Sequence, residues 1–126
     1  MKQKEIALPQ WIKAVEERSG LRILRLQGRV DMTAVAVIQQ FAEKRRMEKG
    51  FEYKQLLMDF ADVSYIDTSV VAVLLKTMCL YKQAHHKLGI INLGEEPRSM
   101  FEIAKVDKLF FFYPSEAEAI QVLEAS

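Results

Sequence analysis

Apolar positions in this chain fall into two kinds of segment, short runs suited to strands and longer stretches with helical spacing. Residues 11–18 and 21–27 read as two strands, and the Ser19-Gly20 pair between them suits a hairpin turn because glycine tolerates positive φ. Across residues 33–49, Ala34, Val37, Ile38, Phe41 and Ala42 recur at helical spacing, and Gly50 stands where a left-handed cap would end the helix. The charged residues of its last turns, Glu43 to Arg46 with Glu48 and Lys49, read as a solvated helix end rather than a docking patch. Leu56-Leu57-Met58 lies in a third strand expected to end near Asp59-Phe60, with a loop through Asp62 and Ser64 leading to Ile66-Asp67-Thr68-Ser69. A second helix follows over residues 70–83. It is too apolar to bury only one narrow stripe, so something beyond the core is expected to cover it.

Residues 88–93 read as a fourth strand, and Pro97 sits in the first turn of a short helix reaching to about Ala104, where proline is tolerated. Phe110-Phe111-Phe112 makes a last short strand. Ser115 and Glu118 then form an S-x-x-E capping box that opens a closing helix, with Ile120 and Leu123 facing inward. The order of elements has an antiparallel start followed by βα alternation. It implies a single α/β domain over residues 1–126, with its core at about 11–123: a mixed sheet of about five strands that opens with a hairpin and is packed by about four helices.

Half of the 126 residues are hydrophobic, enough for one domain with a real core. Lysine plus arginine number 18 against 17 aspartate plus glutamate, and a net charge of +1 gives no electrostatic drive toward nucleic acid or acidic membranes. No apolar run reaches the ~20 residues of a membrane span, and residues 1–10 lack the apolar stretch of a secretory signal, so a cytoplasmic protein without membrane insertion is expected. The single Cys79 can form no internal disulfide and is expected to be a small buried hydrophobe. His85-His86 are adjacent, whereas a helical metal pair favours spacing of three or four, so a contact with the helix C-terminus is expected. The six methionines are scattered and read mostly as core filler. Asp59, at a strand end, invites comparison with response-regulator receivers, a minor alternative. Against it stand the missing acidic pair after the first strand and the opening hairpin. No phosphate loop, dinucleotide fingerprint, zinc spacing or nucleophile elbow occurs, so neither an enzyme nor a cofactor is expected.

Three stretches together carry a family likeness: Leu26-Gln27-Gly28-Arg29-Val30-Asp31; Leu57-Met58-Asp59-Phe60 through Val63 and Tyr65 to Ile66-Asp67-Thr68-Ser69; and Val106-Asp107-Lys108-Leu109-Phe110 running into Tyr113-Pro114-Ser115. The chain resembles the STAS family, named for sulphate transporters and anti-sigma factor antagonists, from about Trp11 to Leu123. That resemblance implies a regulatory protein-binding module whose partner is an anti-sigma factor and serine-threonine kinase, or another regulatory protein. It also implies a phosphorylated hydroxyl residue just after the aspartate that opens the second helix, which here is Thr68, with Ser69 the less favoured acceptor. Asp67, Thr68 and Ser69 can all cap a helix, and a phosphate on Thr68 would bring roughly two negative charges to a helix N-terminus that tolerates them. Asp31, Asp67, Thr68, Ser69 and Val70 are the expected partner-binding residues. Val70 departs from the family pattern, which has glycine there, and a branched side chain would narrow access to Thr68. The alternative implied by the same resemblance is an unmodified STAS subunit of a transporter ATPase complex or signalling scaffold. A homodimer through the apolar second helix is left open.

Overall fold

A computed structural model of the protein describes residues 9–18, 20–40 and 55–124. The first two apolar runs pair as an antiparallel hairpin, β1 (Ile12–Arg18) and β2 (Leu21–Val30), and Gly20 adopts the positive φ, 83°, that the tight connection requires. A 3-10 turn (Met32–Ala34) leads into α1 (35–40), and then come β3 (Gln55–Ile66), α2 (Thr68–Gln83), β4 (Lys87–Ile91) and α3 (Glu95–Ile103). A second 3-10 turn (Asp107–Leu109), β5 (Phe111–Tyr113) and α4 (Glu116–Glu124) complete the described chain. Ser19, and residues 41–50 with their charged run and Gly50, lie outside the described residues.

The five strands lie in sequence order, β1-β2-β3-β4-β5, with all pairs after the first parallel. Each crossover therefore steps one strand in the same direction, and right-handed crossovers of that kind put their helices on one face of the sheet. The burial follows that rule. Leu24 and Leu26 of β2, Leu56 and Met58 of β3 and Ile90 of β4 share a core with Ile38 of α1, Leu74 of α2 and Phe101 of α3. The alternate positions Leu21, Ile23, Leu57 and Ile91 form a smaller core on the other face, covered by Ala119 and Leu123 of α4. Helix α4 packs on that face, its start capped by Ser115, whose Oγ accepts from the Glu118 N–H at 3.3 Å.

Two expectations need correction. The predicted loop through Asp62 and Ser64 is strand: β3 runs to Ile66, because β2 extends to Val30 and stays paired with it. Register slips between Arg25 and Gln27, and again between Gly28 and Arg29, each leave one extra residue in β3, and Gly28 absorbs the second with a φ of 65°. Since β4 pairs only with residues 55–59 of β3, the distal half keeps one neighbour, and its exposed Ala61, Asp62 and Ser64 gave the segment a loop-like polarity. The other correction is Cys79, which is exposed. The buried stripe of α2 runs through Val70, Val73, Leu74, Thr77 and Tyr81, and position 79 lies off it.

Candidate functional site

The end of β2 and the start of α2 meet through one carboxylate. Asp67, in extended conformation, is the N-cap of α2, and its Oδ1 accepts from the Val70 N–H at 3.2 Å and from the Ser69 hydroxyl. Its Oδ2 accepts from the Met32 N–H at 3.1 Å, which ties the turn after β2 to the helix. Asp31 caps that turn in parallel fashion: Oδ1 accepts from the Thr33 N–H at 3.0 Å and the Thr33 hydroxyl at 2.7 Å, while Oδ2 faces Arg29 Nε at 3.3 Å. The hydrogen bonds from Thr33, reinforced by Arg29, hold the Asp31 carboxyl below the usual aspartate range, so it is ionised at neutral pH.

Asp31, Asp67, Thr68 and Ser69 are thus brought to one end of the molecule. Thr68 is the first residue of α2 and is exposed, and its hydroxyl has no hydrogen-bond partner among the described residues. Ser69 is half-buried and donates its hydroxyl to Asp67. Val70 departs from expectation. It is 0% exposed, so its side chain is part of the core and neither narrows access to Thr68 nor offers surface to a partner. The sequence reading missed three neighbours. Met32 stands 70% exposed between the two aspartate caps, and the Arg29 guanidinium lies 4.2 Å from the centre of the Tyr65 ring, to which its residue is paired across β2 and β3. The one signal for Met32 was an apolar residue lodged between polar capping residues.

The first amides of a helix lack intrahelical partners and favour an anion beside them. Among the described residues no group of three or more His, Cys, Asp or Glu could hold a metal ion. The likeness of Asp59 to a receiver aspartate fails on geometry. Asp59 is buried, receives Arg25 Nη1 at 2.7 Å, Asn92 Nδ2 at 3.0 Å and the Ala61 N–H at 2.9 Å, and so has no open acidic pocket around it. His85 and His86 close α2 through their backbones: His85, at φ 61°, donates to the Lys82 carbonyl at 3.0 Å and His86 to that of Tyr81 at 2.7 Å. No described helix is long and apolar enough to cross a membrane.

The fold recurs in solved structures. The Thermotoga maritima protein TM1081 is 14% identical with a TM-score of 0.78, over 88% of this chain and 93% of that one. The anti-sigma factor antagonist SpoIIAA in its unphosphorylated form is 19% identical with a TM-score of 0.74, over 90% and 96%, and the Bacillus protein also has a solved phosphorylated form. An anti-sigma factor antagonist from Mycobacterium paratuberculosis is 20% identical with a TM-score of 0.72, over 94% and 99%. No curated protein sequence matches significantly. The STAS domain profile matches residues 13–119, nearly the whole chain, and on that match the chain belongs to the STAS domain family.

Proposed function

We propose that this protein is a cytoplasmic switch of the anti-sigma-factor-antagonist kind. It binds an anti-sigma factor that is also a serine-threonine kinase, or a regulatory protein of the same type, and phosphorylation of Thr68 releases it. The observation that carries the reading is the exposed Thr68 hydroxyl in the first turn of α2, beside a serine whose own hydroxyl is committed to Asp67. The existence of a phosphorylated form of SpoIIAA supports the same reading. Asp31, paired with Arg29, and Asp67 place two carboxylates at this surface, and a phosphate would add roughly two charges of the same sign, stabilised by the helix start yet desolvated unfavourably under a docked partner. Met32 supplies the apolar contact that a partner would cover. The protein works by binding, not turnover.

Intact-mass spectrometry with fragmentation, on protein from its native cells, tests the modification, and affinity measurements on the captured partner test its effect. Phosphate is expected on Thr68. Thr68→Glu should lose about tenfold or more in affinity while Thr68→Ala keeps it. Unmodified protein under all growth and stress conditions, with Thr68→Glu binding as tightly as the parent, would establish a constitutive STAS subunit instead.

A further inference from the structure

The far end of α2 carries a second concavity. About 21 Å along the helix from Thr68, at 1.5 Å per residue, a cavity of about 560 Å³ opens between the last turns of α2 and the starts of β4 and β5. Its volume lies within the range of small-molecule sites. Leu75 and Met78 line it from α2, and the buried Leu88 from β4. Leu109 and Phe111 also line it and stand 54% and 58% exposed, so two large apolar side chains flank a cavity without being covered by it. The charged lining is of one sign: Lys82 and Lys87 are exposed, and no Asp or Glu lines the cavity among the described residues. The backbone hydrogen bonds that end α2 fix the turn that separates Lys82 from Lys87.

We propose that this cavity binds a small anionic amphiphile, an aliphatic carboxylate whose chain lies against Leu75, Met78 and Phe111 and whose head group meets Lys82 and Lys87. The end of α2 itself opposes an anion with roughly half a negative charge, but two lysine charges exceed that, and the terminal turn already hydrogen-bonds the Tyr81 and Lys82 carbonyls. A second copy of this chain fits the face poorly, because a two-fold contact would set Lys82 and Lys87 against the same residues of the other copy.

Cys79 is the only cysteine in the chain and lines the cavity, so its rate of modification by a neutral maleimide reports occupancy. Decanoate, decanol and decyltrimethylammonium are compared at equal submillimolar concentrations, with the Met78 methyl resonance as a second readout. Decanoate should slow the reaction saturably, by about fivefold or more, and shift the Met78 methyl, with decanol at least about tenfold weaker and the cationic analogue inert. Lys82→Glu/Lys87→Glu should abolish the decanoate effect. Lys82→Gln/Lys87→Gln, which removes charge without reversing it, should weaken it by about tenfold if the first variant folds poorly. Equal potency of decanol and decanoate, an undiminished effect in the glutamine variant, or neither readout responding would overturn the site. Slowing by increased protein concentration alone would also overturn it and make the cavity a contact between copies.

Discussion

Both oxygens of Asp67 are committed to joining two elements, one to the start of α2 and one to the turn after β2. Alanine there removes the acceptor of the Met32 amide and of the Ser69 hydroxyl and leaves the Val70 amide only the Asp67 backbone carbonyl, at 3.1 Å, so Asp67→Ala is expected to destabilise the fold by about 2 kcal/mol in urea unfolding. Asparagine keeps one acceptor but presents an amide nitrogen to the other donor, so Asp67→Asn should cost less, about 1 kcal/mol. Within the first turn of the helix, Val70→Ala empties part of the core and should cost about 2 kcal/mol, whereas Thr68→Ala, at an exposed position, should stay within about 0.5 kcal/mol of the parent. Equal effects of these two substitutions would contradict the observed rotation of α2. The capping residues were legible in the sequence because short polar side chains before an apolar run satisfy helix amides locally. The inward turn of Val70 was not, since the rotation of a helix about its axis is set by the sheet it packs on.

Strand β3 and the ends of the helices show where local pattern stops being informative. The strands and helices within the described residues were recognisable from apolar spacing, apolar runs or capping residues, yet the distal half of β3 read as a loop, because an edge-like stretch with one paired neighbour and two bulges loses its alternation. The terminations were legible only where glycine or proline marked them. Helices α2 and α3 both end on left-handed residues that are not glycine, His85 at φ 61° and Lys105 at φ 60°, in turns closed by paired backbone hydrogen bonds. Each side chain there bears a strain that glycine avoids. His85→Gly and Lys105→Gly are each expected to raise stability by about 0.5 to 1 kcal/mol, read as an increase in Tm. Gly28→Ala, at φ 65° in β2 opposite the second bulge of β3, should lower it by about 1 kcal/mol even though nothing stands within 4 Å of the added Cβ.

Across the whole molecule, the monotonic strand order puts α1, α2 and α3 over one core and leaves α4 to close the other face with a much smaller one. What supplements that smaller face is ionic. Arg25 reaches Glu16 of β1, Asp59 of β3 at 2.7 Å and Glu116 of α4 at 2.8 Å, joining both ends of the chain to the central strands. None of this was legible in the sequence, where Asp59 and Arg25 lie 34 positions apart and become neighbours only once the β2–β3 register is fixed. Burial pulls the Asp59 carboxyl upward, but the hydrogen bonds from Asn92, Ala61 and Arg25 outweigh it and hold its pKa below the ordinary 3.8. A carboxyl depressed on folding contributes stability that is complete above its unfolded value and is lost as pH falls through its folded one. Arg25→Met removes the cation while leaving the buried carboxylate, and should cost about 3 kcal/mol near neutrality. Because that cost requires Asp59 to be ionised, and loss of the cation lets burial raise its pKa in the variant, urea unfolding from about pH 7 down to about pH 2.5 should show a penalty that is full near neutrality and shrinks toward the acid end. A penalty unchanged at the acid end would mean that Arg25 stabilises α4 by packing its methylenes rather than by pairing its charge.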